Sequence, residues 1–115
     1  MDNTTKQGGI FMSRELTAGT VVRHFKYGGL TPAEKENNLY IYKIITMNAH
    51  DTDNYERQVV YQALYNNPEK RIKYGDIFVR RYTEFISEVD RKKYPLDKYP
   101  QYTQQYRFEP VEDNE

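Results

Sequence analysis

Four short segments of the chain have the hydrophobic pattern of β-strands, with β-branched and aromatic residues at alternating positions. They are 20–26, 39–47, 72–80 and 105–111. The clearest is 39–47, LYIYKIITM, in which strict alternation places Ile45 and Met47 on one face and Tyr42 and Ile44 on the other. In the last segment, Pro110 cannot donate a backbone hydrogen bond, which predicts an edge position for the end of that strand.

A fifth segment, DNYERQVVYQALYNNP at 53–68, is ambiguous. As a helix it begins with Asp53 and Glu56, the spacing of a capping box. As a strand it places Val59, Tyr61 and Ala63 on one face. Local sequence preferences are compatible with both the helix and the strand. The choice decides whether a helix packs on a small antiparallel barrel or roll.

The connections carry clear turn and cap signals. Thr31, Pro32 and Glu34 predict one or two exposed helical turns at 32–37. The cluster NAHDTDN at 48–54 predicts a turn, because Asn and Asp side chains bond to nearby backbone amides. Two prolines make 94–102 an extended, largely irregular loop.

The 115 residues are enough for one domain. The polar N-terminus predicts a disordered extension over 1–12, and the acidic C-terminus predicts a flexible tail over 112–115, which leaves 13–111 as the folded domain. Met12 is an alternative start for translation.

Charge and composition exclude several classes of protein. Seventeen basic residues balance seventeen acidic ones, so no overall charge attracts nucleic acid or an anionic membrane. The chain has no cysteine, which excludes disulfides and thiolate metal sites. Its apolar runs are far too short to span a bilayer, and its start has no apolar signal region. These features predict a cytoplasmic protein, of a prokaryote or of a cell carrying its phage.

The order of motifs GTVVRHFK, LYIYKIITMNAHDT, RQVVYQALY, DIFVRRYTEFISEV and a terminal RFEPV resembles a bacterial family, domain of unknown function 1653. The resemblance covers about residues 19–111, and VVYQALY and FVR are its most specific parts. The chain differs from the pattern at Phe78, where the family tends to have Trp, and at Arg81, where Pro is usual. Its segments 28–38, 66–75 and 91–104 are also longer.

The resemblance implies a mostly β fold, an SH3-like antiparallel β-barrel or roll with short helical turns. It makes VVYQALY a strand, so that tertiary pairing overrides the capping-box signature. It also implies a 3₁₀-like turn at 82–84 and a strand at 85–90, with Phe85, Ser87 and Val89 on one face.

His24 and His50 are the only histidines. With Asp51 or Asp53 they are candidates for a metal site or an acid–base pair. Their spacing matches no metal motif, and HDTD lacks the HExxH form. We therefore expect a hydrogen-bonded strand histidine, a solvent-exposed turn histidine and no metal or other cofactor.

Arginines and tyrosines form the second candidate site, because small β-barrels bind single strands by stacking bases beside cations. Arg80 and Arg107 are the best candidates, since each lies beside an aromatic residue at a family motif position; Arg23 is a third. The alternative is that the tyrosines build the core while the arginines pair with acids. For Tyr61 we expect a buried ring whose hydroxyl bonds to an arginine or histidine.

The candidate ligand-binding residues are Arg23, His24, His50, Tyr61, Arg80 and Arg107. The function predicted from the sequence is a non-enzymatic binding or interaction module. Single-stranded RNA or DNA binding is the alternative, and a small enzyme using His50 with a nearby acid is the third. The partner is a protein or a single-stranded nucleic acid and not a membrane; the sequence leaves the oligomeric state open.

Overall fold

The computed structural model describes residues 14–111. The expected extension at 1–12, the alternative start at Met12 and the expected tail at 112–115 lie outside the described residues. No helix within 14–111 is long and apolar enough to cross a membrane.

One antiparallel sheet organises the described residues, and its strand order is β4-β3-β2-β1-β5. The elements in chain order are β1 (Val21–His24), a 3₁₀ helix (Phe25–Gly29), α1 (Pro32–Glu36), β2 (Ile41–His50), β3 (Arg57–Ala63), a second 3₁₀ helix (Pro68–Lys70), β4 (Ile77–Arg81), α2 (Tyr82–Phe85) and β5 (Phe108–Pro110). The predicted mostly β class is therefore confirmed. The five-stranded sheet is not closed, because β4 and β5 are its two edge strands.

The ambiguous segment is a strand, as the resemblance implied. β3 pairs with β2 on one side and β4 on the other, and it buries Val59, Tyr61 and Ala63 on one face. Two-sided pairing satisfies the backbone groups as fully as a helix would, and it also buries the apolar face. The helical capping signal is therefore overridden. Asp53 therefore caps no helix. In the turn before β3, Asp51 Oδ1 accepts a hydrogen bond from the Asp53 backbone N–H at 2.8 Å.

Strict alternation along β2 was wrong in its second half. Tyr42 and Ile44 are buried as expected, but Met47 is buried too while Ile45 is 41% exposed. The register against β3 shifts twice, between Ile44 and Thr46 and again between Thr46 and Ala49. Each extra residue in a bulge inverts the faces that follow, which explains why Met47 joins the core.

The N-terminal strand is shorter than predicted. β1 ends at His24, and the 3₁₀ turn that follows begins with the buried Phe25. Gly28 in that turn passes close to the chain at 101: a Cβ on Gly28 would lie 2.2 Å from the Gln101 carbonyl oxygen. A larger residue at position 28 would push these two segments apart.

α1 has the predicted capping box. The Thr31 hydroxyl accepts from the Glu34 N–H at 3.2 Å, and the Glu34 carboxylate accepts from the Thr31 N–H at 2.8 Å. β4 begins later than expected, and Gly75 lies in the turn before it with a φ of +95° rather than in a bulge. The C-terminal strand covers Phe108–Pro110, and β5 is an edge strand as Pro110 indicated.

The predicted strand at 85–90 was wrong. Phe85 ends the helical turn α2, and the following residues make one isolated bridge, between Glu88 and Tyr106. Phe85 and Val89 are nevertheless buried, as expected from that face. Phe85 belongs to α2, so Phe85 and Val89 are both buried without a continuous ladder of strand hydrogen bonds.

Several contacts link the regions next to the two edge strands of the sheet. The Phe85 and Phe108 rings stack at a centroid distance of 4.1 Å and an interplanar angle of 9°. The Arg107 N–H donates to the Ser87 carbonyl at 2.9 Å, and the Val89 N–H donates to the Gln105 carbonyl at 2.9 Å. The chain that follows β4 is thereby joined to the chain that leads into β5.

Candidate anion-binding site

A cavity of about 290 Å³ opens where the end of β1, strand β4 and the residues next to β5 meet. We call it the cationic cleft. Its charged and histidine side chains are His24, Lys26, Arg80, Asp90, Lys93 and Arg107, and Phe25 and Tyr94 complete the lining. These residues come from four separate parts of the chain, so only folding brings them together.

His24 is held in a defined orientation at the base of the cleft. Its ring packs against Phe25 at a centroid distance of 4.6 Å and meets Phe108 edge-on at 5.1 Å. Its Nδ1 accepts a hydrogen bond from the Lys26 backbone N–H at 3.2 Å. Because a neutral imidazole has one acceptor and one donor nitrogen, this bond places the proton on Nε2.

The environment of His24 keeps it uncharged. Burial, followed by the positive charges of Arg80, Arg107 and Lys26, lowers the pKa of His24 to about 3. The ring is therefore neutral at physiological pH and carries a single N–H, on Nε2.

Each arginine of the cleft is oriented through its Nε. Arg80 Nε donates to the Tyr61 hydroxyl at 3.4 Å, and Arg107 Nε lies 3.4 Å from the Ser87 hydroxyl. Arg80 Nη1 also lies 3.6 Å from the Glu84 carboxylate. The contact with Glu84 engages one of the two terminal nitrogens of Arg80. Terminal N–H groups that are not engaged in this way can bind a ligand, and the planar guanidinium fork matches the oxygens of carboxylates and phosphates.

The second wall of the cleft belongs to the long segment that precedes β5. It contributes Lys93 and Tyr94, and Arg91 holds it in place. The Arg91 guanidinium donates to the carbonyl oxygens of Tyr94 at 3.3 Å, Tyr102 at 2.8 Å and Gln104 at 2.8 Å. Although this segment has no regular secondary structure, three bonds from one side chain fix its path.

The lining carries more positive than negative charge. Two lysines and two arginines line the cleft with one carboxylate, that of Asp90, while the Glu84 carboxylate next to Arg80 lies outside the lining. Asp90 also accepts from the Lys92 N–H at 3.0 Å, which uses part of its acceptor capacity locally. A chain without net charge thus has a local excess of cations, and this arrangement attracts an anion.

The structure brings together half of the residues predicted from sequence. His24, Arg80 and Arg107 line the cationic cleft. Tyr61 is 4% exposed and lies in the core, where its hydroxyl accepts from Arg80, as expected for a buried phenol. A direct role of Tyr61 in ligand binding stays a prediction.

The other two candidates lie elsewhere. Arg23 faces a neighbouring cavity, where its Nε donates to the Gln104 side-chain carbonyl at 3.1 Å. His50 is exposed at the far end of β2, nine residues beyond Ile41, the residue that pairs with Arg23. At about 3.3 Å per residue, roughly 30 Å of strand separates it from the cleft. Within residues 14–111, no group of three or more His, Cys, Asp or Glu side chains could hold a metal ion.

Sequence reasoning missed Lys26, Lys93 and Tyr94. Lys26 carried a signal, because it closes the Arg-His-aromatic-Lys opening of the family pattern. Lys93 belongs to a basic run of three residues, too short to stand out in the sequence. Only the fold of the 90–104 segment brings Lys93 and Tyr94 to the cleft.

These observations define a small antiparallel β-sheet protein with a cationic, histidine-containing cleft. The chain belongs to the family described as Protein of unknown function (DUF1653), whose model matches residues 20–110. No curated protein matches the chain. No solved structure matches it either.

Proposed function

We propose that this protein is a non-enzymatic binding module whose cationic cleft holds an anionic group of its partner. The observation that carries the proposal is the convergence of Lys26, Arg80, Lys93 and Arg107 on one cavity, opposite the single carboxylate of Asp90. The contacts between the regions next to the two edge strands support the further proposal of an SH3-like barrel, a fold that hosts many kinds of partner. Bacterial origin and a cytoplasmic location stay predictions.

The geometry of the donors supports binding rather than proton transfer. His24 Nδ1 is occupied by the Lys26 N–H, and the low pKa of the ring leaves it a poor proton acceptor near neutral pH. His24 Nε2–H and the two arginine forks are all donors, and they match the acceptor oxygens of a carboxylate or phosphate. An anion seated among them replaces the water that these groups otherwise bind.

The proposal is tested by titrating the full chain with inorganic phosphate at low ionic strength while backbone and side-chain NMR signals are followed. We expect saturable shifts of His24, Lys26 and Arg107. Arg107→Gln removes one charged donor and should weaken binding about tenfold, at the lower end of the value of a charged hydrogen bond. Lys70→Gln is the matched control, because Lys70 is exposed and lines neither this cavity nor its neighbour.

Shifts that are spread evenly over all exposed lysines, or equal affinities for Arg107→Gln and Lys70→Gln, would show that phosphate only screens charge. Either result would remove the cleft as a binding site. The melting temperature of each variant is measured in the same buffer, so that a loss of binding is not confused with unfolding.

A further inference from the structure

A second cavity, also of about 290 Å³, lies next to the cationic cleft. We call it the Tyr27 cavity. Its lining includes Arg23, Tyr27 and Lys35, together with Gln101 and Thr103. Phe25 lines both cavities, so the two are neighbours that share one aromatic wall.

The two cavities repeat the same arrangement of side chains. In the cationic cleft, the Lys26 and Lys93 ammonium groups each lie 5.6 Å from the centre of the Tyr94 ring. In the Tyr27 cavity, the Arg23 guanidinium lies 5.3 Å and the Lys35 ammonium 5.5 Å from the centre of the Tyr27 ring. Each cavity therefore presents one tyrosine ring with two cations within about 6 Å of its centre.

Packing holds this arrangement before any ligand arrives. The Tyr94 ring meets Phe25 at 5.1 Å and Tyr102 at 5.8 Å, both edge-on. Tyr27 lies in the 3₁₀ turn that Gly28 brings against the chain at Gln101. Binding therefore requires little ordering of the protein, which favours affinity.

The two linings together contain six lysines and arginines and one carboxylate. Each of the two tyrosines has two cations near its ring, so aromatic ring and positive charge occur together twice. A single-stranded nucleic acid has the complementary repeat, a base and a phosphate per nucleotide, and proteins bind it by stacking bases on aromatic rings beside cationic side chains. A phosphopeptide supplies a phosphate without a regular aromatic repeat and would leave the Tyr27 cavity without a matching group.

We propose that the cationic cleft and the Tyr27 cavity together bind a single-stranded nucleic acid, with one base on Tyr94 and another on Tyr27. The inference rests on the proposed function, because it assigns the anion of the cationic cleft to a backbone phosphate. Arg23 and Lys35 contact a second phosphate of the same strand. A duplex, whose bases are stacked inside, cannot occupy both tyrosines.

The test is fluorescence anisotropy of a labelled oligothymidine of about ten nucleotides, within the usual range of site sizes, at several salt concentrations. For a single strand, each phosphate contact contributes about −0.7 to the slope of log affinity against log salt. Lys35→Gln and Arg107→Gln should each reduce the steepness by about 0.7, and Lys70→Gln should leave it unchanged.

Tyrosine variants separate stacking from charge. Tyr27→Leu should weaken binding about 5- to 150-fold, the loss expected for one stacked base, with an unchanged salt slope. Tyr27→Phe keeps the aromatic face and should bind like the unmodified protein. Tyr74→Leu is the matched control, because Tyr74 is 63% exposed and lines neither cavity. If Tyr27→Leu fails to fold, the dependence of affinity on salt in Lys35→Gln still tests the inference.

Three comparison ligands test whether the two cavities prefer another kind of anion. They are inorganic polyphosphate, a phosphoserine peptide and a duplex of the same length. Weaker binding of all three supports the inference, whereas equal or tighter binding of any of them overturns it. If phosphate binds at Arg107 but Lys35→Gln and Tyr27→Leu bind the oligonucleotide normally, the inference fails and the proposed function stands. If neither phosphate nor the oligonucleotide binds at low salt, both fail.

Discussion

The two histidines lie in opposite surroundings at the two ends of the central sheet. At one end, His24 packs among Phe25, Tyr40 and Phe108 and is neutralised by burial and nearby cations. At the other end, His50 is exposed beside the β2–β3 turn. Bonds in that turn are local, such as the one from the Glu56 N–H to the Asn54 side-chain carbonyl at 2.8 Å.

The two ends of the sheet differ in the elements that contribute side chains next to each histidine. Near His24 the end of β1, strand β4 and the chain before β5 all contribute side chains to one cavity. Near His50 the β2–β3 turn also meets other elements, since the Glu56 carboxylate lies 3.7 Å from Arg81 Nε, but His50 itself does not line the cavity that these residues share.

The largest effect expected from this comparison is the loss of stability on Tyr61→Ala. The Tyr61 ring packs against Tyr42 at 5.1 Å, Phe85 at 5.2 Å and Phe108 at 5.4 Å beneath the His24 end. Deleting a large buried aromatic side chain costs about 3–5 kcal/mol of unfolding free energy. Urea denaturation measures this loss. A loss below about 1 kcal/mol, the size of a surface change, would contradict the core position of Tyr61.

The next effect is the contribution of His24 to the dependence of stability on pH. Its pKa falls from an ordinary value of 6.5 to about 3 on folding, so the unfolded chain binds more protons between these values. This contribution is fully present above pH 6.5 and is lost as the pH falls towards 3. The slope approaches about 1.4 kcal/mol per pH unit for one proton.

Urea denaturation between pH 7 and pH 5 measures that slope before most carboxylates titrate. His24→Asn, whose side-chain carbonyl can still accept from the Lys26 N–H, should flatten it. His50→Ala should keep it. An equal slope in His24→Asn and the unmodified protein would assign the effect to other groups.

A smaller effect is expected for Tyr61→Phe, which removes only the hydroxyl that accepts from Arg80 Nε. An ordinary hydrogen bond contributes about 0.5–1.5 kcal/mol. At 3.4 Å this bond is long, so we expect the lower end of that range. Urea denaturation measures the stability, and the phosphate titration shows whether Arg80 keeps its orientation. A loss as large as that of Tyr61→Ala would mean that the hydroxyl matters more than the ring.

The smallest effect is expected for His50→Ala. His50 is exposed, and within residues 14–111 no metal-binding cluster includes it. Its removal should change the unfolding free energy by no more than about 0.5 kcal/mol. Phosphate and oligonucleotide affinities should also stay unchanged. A marked loss of either affinity would place a functional site at the His50 end and reverse the comparison.

Much of the local structure could be predicted from the sequence. The capping box of α1 needs only Thr31 and Glu34 at the right spacing, because both bonds lie within one turn. The core face of Val59, Tyr61 and Ala63 follows from the two-residue period of a strand. The turn predicted at 48–54 begins only after His50, because 48–50 belong to β2, and its remaining part has side chains that bond to backbone groups two residues away.

Other features depended on contacts between distant residues. The two irregularities in β2 exist only relative to β3, and they bury Met47 against the strict alternation of its strand. The segment 85–90 had the pattern of a strand, but α2 and the stack of Phe85 on Phe108 took the place of a ladder. Residues 53–68 carried two valid local preferences, and pairing on both sides decided between them.

The candidate site divides in the same way. The sequence by itself determined which donors the chain has: His24 is one of two histidines, and the family pattern singled out Arg80 and Arg107. Only the tertiary structure decided that these three meet Lys26 and Lys93 in one cleft, that Arg23 lines the adjacent cavity and that His50 stays apart. Hydrophobic periodicity and helix capping involve residues only a few positions apart, so both can be recognised in a single sequence. Burial, pKa shifts and convergence arise from groups far apart in the chain, and they exist only once the chain has folded.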